Sequence, residues 1–188
     1  MKKYFLLVLL ITVVSSTSLF AGKNSVRLGV EAPRVMSLEY ERSFGILLPG
    51  FSVFANYGSG DFDLDGDKTS VSGLNFGARY KIPILGYISI GYGNLDIDYS
   101  YVASVNSGSV TVGQTVDVDG SFSGLLIEYG KEFGVGPVFL GGKVSYIAGE
   151  PSVSGTAGGT AISDDDIDSG AAELKGLPGF AFYVGYSF

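Results

Sequence analysis

Histidine, cysteine and tryptophan are absent from the 188 residues. Without imidazole or thiol the chain lacks the usual neutral-pH general base, the sulfur nucleophile and the soft metal ligands. Carboxylates remain, but no two acids are set apart as a glycosidase-like pair, so the expectation is a non-enzyme. No disulfide can form. Long apolar runs are also missing beyond residue 21: none reaches the 18 or so residues of a spanning helix. A mature chain that crosses a membrane must then do so as a closed sheet, because only helices and closed barrels satisfy every backbone polar group in lipid.

The first residues carry the one short apolar segment of the other kind. Lys2 and Lys3 precede an apolar core over 4–14, and small residues over 15–21 lead to an expected cut between Ala21 and Gly22. The reading is a secretory signal peptide at 1–21 and one domain at 22–188. Cleavage would leave 10 basic and 19 acidic side chains, since the removed stretch holds two of the 12 basic residues and no acid. Glycine is plentiful, at 29, alongside 12 Tyr and 13 Phe. Glycine relieves a crowded inner wall, and in the absence of Trp the Tyr and Phe rings must supply any interfacial girdle.

Period-two alternation divides the domain into about eight segments. Val26, Leu28 and Val30 oppose Arg27, Gly29 and Glu31 in the first, over 25–31. The second, 35–44, sets Met36, Leu38 and Tyr40 against Ser37, Glu39 and Glu41. The third, 51–58, sets Val53, Ala55 and Tyr57 against Phe54 and Asn56. The fourth, 70–80, sets Leu74, Phe76 and Tyr80 against Asn75 and Arg79. In the fifth, beginning at Gly86, Ile88, Ile90 and Tyr92 share one parity while Leu95, Ile97, Tyr99 and Tyr101 share the other. A β-bulge near Gly93 or Asn94 is the simplest repair. The sixth, 116–129, and the seventh, 138–148, turn Glu128 and Lys143 to the face opposite Ile127 and Val144. Connections after the even segments are short and hold Gly or Pro. Those after the third, fifth and seventh read as longer polar loops, the last over 149–176.

The eighth segment ends the sequence with Phe180, Phe182, Val184, Tyr186 and Phe188 on one face. This terminal strand resembles the C-terminal signature of bacterial outer-membrane β-barrels. With the leader, the eight segments and the loop asymmetry, the whole domain resembles the small barrels of the OmpX, opacity-protein and OmpA transmembrane-domain type. That resemblance implies an all-β, antiparallel up-and-down barrel in the outer membrane with both termini periplasmic. It implies that Phe182, Val184, Tyr186 and Phe188 are read by the barrel-assembly machinery. Barrel enzymes of this size, the lipid A deacylases, palmitoyltransferases, phospholipases and omptin proteases, depend on histidine, and the chain resembles none of them in its site.

The inward parity collects Arg27, Glu31, Glu39, Glu41, Arg79, Glu128 and Lys143. Arg or Lys on a lipid face costs about 2–4 kcal/mol near the midplane, so the alternation that turns these charges inward itself argues for a barrel. Inside, they read as a salt-bridged plug; a gate or narrow ion path is the second reading. Asp61, Asp63, Asp65, Gly66 and Asp67 spell the opening of a calcium loop, in which alternate carboxylates converge on a hard cation. Yet the twelfth position is Ser72 rather than a bidentate acid, and the same string suits a solvated turn. Asp164, Asp165, Asp166 and Asp168 form a second acidic run. The outward Tyr40, Tyr57, Tyr80, Tyr129, Tyr146 and Tyr186 suit a headgroup-level girdle.

Three functions fit these features. The first is a non-enzymatic surface protein, adhesive or envelope-stabilising, whose acidic loops meet an extracellular ligand or host surface. A passive small pore or hydrophobic-ligand channel, similar to the OmpW-like barrels, is the alternative. A soluble lipocalin-like barrel in the periplasm is the third. The expected surroundings are outer-membrane lipid and lipopolysaccharide, with no nucleic acid and no cofactor beyond a calcium ion at the acidic loops.

Overall fold

The computed structural model describes residues 23–45, 47–64, 67–102, 111–161 and 175–188. The strands are β1 (Asn24–Ala32), β2 (Met36–Ser43), β3 (Phe51–Leu64), β4 (Asp67–Ile82), β5 (Gly86–Val102), β6 (Thr115–Val135), β7 (Val138–Ala157), the two-residue β8 (Thr160–Ala161) and β9 (Gly176–Ser187). From β1 to β8 successive strands pair antiparallel, and β9 closes the ring by pairing with both β7 and β1. The result is a closed barrel of eight strands, with β8 appended to the end of β7. Among the described residues no helix is long and apolar enough to cross a membrane.

Both described chain ends lie at one end of the barrel, where the Asn24 and Phe188 N–H groups donate to each other's carbonyls at 2.9 Å. The β2–β3, β4–β5 and β6–β7 turns lie at this same end. The last is two residues long, Gly136 and Pro137, and Gly136 supplies the φ of 72° that the reversal needs.

Several strands run further than alternation alone indicates. β3 and β4 continue through the segment expected as an acidic loop, pairing Asp61 with Ser70 and Asp63 with Lys68. β7 continues to Ala157, so the stretch from 149 onward starts as strand rather than loop. β5 holds no bulge: its register with β4 passes unbroken from Gly93 opposite Asn75 to Asn94 opposite Leu74 and Leu95 opposite Gly73.

The change of parity in β5 has another cause, visible by following rows across the wall. Nearer the chain ends, Tyr80, Ile88, Tyr129 and Val144 form an outward row, and Ala78, Ile90, Ile127 and Tyr146 form the next. Further up, the outward rows become Ser72, Asp96, Ser121 and Ser152, then Ser70, Asp98, Asp119 and Ser154. The inward face changes in the opposite sense, from Arg79, Ser89, Glu128 and Ser145 to Val71, Ile97, Gly120 and Val153. The wall does not shift; its two surroundings exchange polarity.

Candidate functional site

The lower barrel is filled by charge. Arg27 from β1 reaches β2, where its Nη1 lies 3.0 Å from Glu39 Oε1 and its Nη2 lies 2.6 Å from Glu41 Oε2. Arg79 from β4 meets the same pair from the other side, with its Nη1 2.6 Å from both oxygens. Its Nη2 lies 3.1 Å from Glu128 Oε2, and its Nε donates to Ser89 Oγ at 3.0 Å. Lys143 Nζ bridges Glu39 at 3.0 Å and Glu128 at 2.8 Å. Arg27, Glu39, Glu41, Arg79, Glu128 and Lys143 are all buried. Removing such charges from water is costly unless each is paired and hydrogen-bonded. The strand alternation places every partner on the same inner wall, so the pairing needs no loop to assemble it.

Aromatic rings flank the guanidinium groups. The Arg79 carbon sits 4.0 Å from the centroid of Tyr87 and 4.6 Å from that of Phe54, while Arg27 lies over Phe139 at 5.2 Å. Cations placed on π faces in a desolvated site gain further attraction. The Tyr87 and Tyr183 hydroxyls meet at 3.0 Å across the lumen. Their rings lie where a Cβ on Gly130 or Gly141 would stand, so glycine on the facing strands makes the room.

Three members of this network are not evident from the alternation. Lys81 and Glu132 stand at the chain-end rim, with Lys81 Nζ 2.8 Å from Glu41 Oε1 and 3.4 Å from Glu132 Oε2. Glu132 also accepts from Arg27 Nε at 2.8 Å. Both lie past the expected ends of their strands, which is why periodicity did not reach them. Arg34 belongs to the β1–β2 turn, yet it is buried and paired with Glu31. It passes over the facing Gly58 and Gly73, where side chains would obstruct it. Gly58 and Gly73 come to stand opposite one another only through the pairing of β3 with β4, so spacing along the chain gave no signal.

With these additions the network joins five cations, Arg27, Arg34, Arg79, Lys81 and Lys143, to five carboxylates, Glu31, Glu39, Glu41, Glu128 and Glu132.

Above the charges the lumen closes twice more. Glu31 accepts from Asn56 Nδ2 at 3.0 Å, and the Asn75 amide, turned with its oxygen to the guanidinium, accepts from Arg34 Nη2 at 2.7 Å. A cavity of about 10 Å³ remains beside Arg34, Asn75, Ser145 and Ile147, enough for about one water. Next to it Phe54, Val71, Leu95, Phe122, Leu126 and Ile147 form an apolar plug. Leu126 is fully buried and Leu95 is 2% exposed.

Outside, the apolar residues form a belt. Leu28, Val30, Leu38, Val53, Phe76, Ile90, Ile127 and Val144 are all exposed, as are Phe182, Val184, Tyr186 and Phe188. Tyr57, Tyr80, Tyr129, Tyr146 and Tyr186 point outward with them, and Tyr40 donates to Asn24 Oδ1 at 3.0 Å.

The acidic motif divides. Asp61 and Asp63 are strand residues of β3, and Asp61 accepts from Ser70 Oγ at 2.8 Å. Asp67 opens β4, while Asp65 lies outside the described residues, as do Asp164, Asp165, Asp166 and Asp168. Among the described residues no group of three or more metal-ligating side chains gathers.

No protein-family model matches the sequence, and no curated protein matches it. Solved structures do match. The crystal structure of Acinetobacter baumannii CarO aligns with 90% of this chain and 98% of its own, at 16% identity and a TM-score of 0.53. A major outer membrane protein from Thermus thermophilus aligns over 89% of this chain and 100% of its own, at 15% identity and a TM-score of 0.58. The chain has the fold of the small eight-stranded outer-membrane barrels.

Proposed function

We propose that the protein is a non-catalytic outer-membrane barrel, closed to ions, that carries a rigid β-wall out of the bilayer as a surface for interaction. The observation that carries this reading is the exchange of polarity along one continuous wall. An apolar belt around a charged interior suits lipid outside. A hydroxyl- and acid-coated exterior around an apolar interior suits water outside. The two stacked in one barrel describe a protein half in the membrane and half beyond it.

The filled lumen supports closure. An eight-stranded barrel is just narrow enough for side chains to fill, and here ion pairs, Arg34 and the apolar plug occupy successive levels. The carboxylates of the interior are engaged in ion pairs and serve structure in this reading. The chain ends, with the tight turns, face the periplasm, and the outward aromatic strand β9 is the segment offered to the assembly machinery. Lipid and lipopolysaccharide surround the belt.

Two measurements test it. Refolded protein in a planar bilayer is expected to give no steady conductance; ohmic single-channel steps would replace this reading with the pore. Because the native chain has no cysteine, a single Ser154→Cys gives a clean label site. A membrane-impermeant maleimide is expected to label it on intact cells and to miss Ser43→Cys. Equal labelling of neither or both would overturn the display.

A further inference from the structure

Two outward rows on one side of the lower barrel border an open, apolar groove of about 650 Å³. Val30, Phe182, Gly142 and Lys131 stand opposite one another along the first row, on β1, β9, β7 and β6. Leu28, Val184, Leu140 and Phe133 form the second. Rows two residues apart along a strand are separated by about 7 Å, and Gly29, Gly141 and Tyr183 supply the floor between them. Barrel strands tilt by about 35–45°, so a furrow that crosses them runs obliquely down the wall. Its upper end is at Met36, where β2 leaves the β1–β2 turn, and its lower end points to Lys131 and Phe133, near the Val135 end of β6. From β2 to β6 the strand spacings add to about 19 Å, the reach of a long acyl chain.

Lys131 breaks the apolar pattern of its row. It is exposed, and the cations of the interior meet carboxylates, whereas its ammonium lies 5.1 Å from the centroid of the Phe133 ring. That ring ends the second row, so the charge is held across the mouth of the groove rather than turned away from it. Two residues earlier on the same face, Tyr129 donates to the Leu85 carbonyl of the β4–β5 turn at 2.7 Å. This stretch of β6 therefore stands at the chain-end rim, where an amphipathic lysine can lay its stem on apolar surface and keep its head among lipid headgroups. Gly142 keeps the way open between Phe182 and Lys131. A Cβ there would make only ordinary contacts, the first at 3.4 Å, so the glycine leaves space on the outer face.

We infer that this groove is a site for an anionic phospholipid of the leaflet at the chain-end side, its phosphate on Lys131 and one acyl chain along the furrow. A headgroup that adds a positive charge next to its phosphate would set that charge against the same ammonium, so the site favours headgroups of net negative charge. The inference rests on the reading of the apolar belt as lipid-facing. Failure of the barrel to enter vesicles would overturn that reading, and the inference with it. Insertion without any headgroup preference would overturn the site alone.

The sequence has no tryptophan, so one introduced indole reports its own lipid neighbours. Phe182→Trp places it in the groove, and Phe76→Trp places it on the belt at β4, away from the groove. Each protein is refolded into phosphatidylcholine vesicles holding a minor fraction of either phosphatidylglycerol or phosphatidylcholine with brominated acyl chains, and quenching is read. In the Phe182→Trp protein the brominated phosphatidylglycerol is expected to quench as though enriched about threefold to fivefold over its share of the lipid. The Phe76→Trp protein should show no such enrichment. Adding Lys131→Gln to Phe182→Trp is expected to remove it, while adding Lys23→Gln should leave it. A heat-dependent gel shift confirms that each variant is a folded barrel. Equal quenching of the Phe182→Trp protein by the two lipids, the same enrichment in the Phe76→Trp protein, or enrichment that survives Lys131→Gln would each overturn the site. Protection of the Phe182→Trp protein from both lipids, with the Phe76→Trp protein still quenched, would overturn it in favour of a second copy covering this face.

Discussion

The lower barrel and the upper wall solve opposite problems with the same strands. In the lower half the outside is lipid, so Ile90 and Ile127 face outward and the inside must hold whatever cannot face hydrocarbon, namely Arg79 and Glu128. In the upper half Asp96 and Ser121 face outward and Leu95 and Phe122 form an inner core, the arrangement that suits water outside. β5 passes through both regimes without a break in register. Side-chain alternation alone therefore reports which face a residue takes, and polarity reports the solvent only once the height on the barrel is known. Cohesion differs accordingly. Ion pairs among desolvated groups hold the lower half, and apolar burial holds the upper.

The largest expected effect breaks the lower half. Arg79 bridges β4 to Glu39 and Glu41 on β2 and to Glu128 on β6. Arg79→Met leaves three buried carboxylates short of a cation, and breaking such a pair costs about 3–5 kcal/mol. Urea unfolding in phospholipid vesicles should show that loss. A change below about 1 kcal/mol would mean that neighbouring cations or water carry the charge balance instead. In the upper half Leu95→Ala should cost about 2–4 kcal/mol by removing a buried side chain from a packed core. This substitution also decides the register of β5, because a bulge before Leu95 would place it on the outer face and make the change nearly neutral.

Much of this was legible before the fold. The inward and outward parities of β1 to β4 and of β9 follow from alternation, as do the interior positions of Arg27, Glu39, Glu41, Arg79, Glu128 and Lys143. The bulge in β5 and the acidic loop after β3 were misread for one reason. Both readings assumed that apolar residues always point to the outside of a barrel, which holds only inside the membrane. Once Leu95, Ile97 and Tyr99 are read as inward and Asp96 and Asp98 as outward, the strand is continuous. Arg34 was hidden differently. A turn residue has no period to place it, and its burial depends on Gly58 and Gly73 being opposite each other, a matter of register rather than of sequence spacing.

The smallest effect gives the sharpest contrast, because it uses one substitution at two heights of the same outward face of β6. Ile127 is 45% exposed and lies level with Ile90 and Tyr146, while Ser121 lies level with Asp96 and Ser152. Lysine at 127 must take its charge into hydrocarbon and should cost about 2–4 kcal/mol. At 121 the same lysine meets water and a facing carboxylate, and the change should stay within about 0.5 kcal/mol in either direction. Both variants are compared by unfolding in identical vesicles, so differences in lysine's intrinsic strand preference largely cancel. If Ser121→Lys proved as costly as Ile127→Lys, the upper wall would have to lie within the bilayer. If both were harmless, lipid would not be what the apolar belt faces.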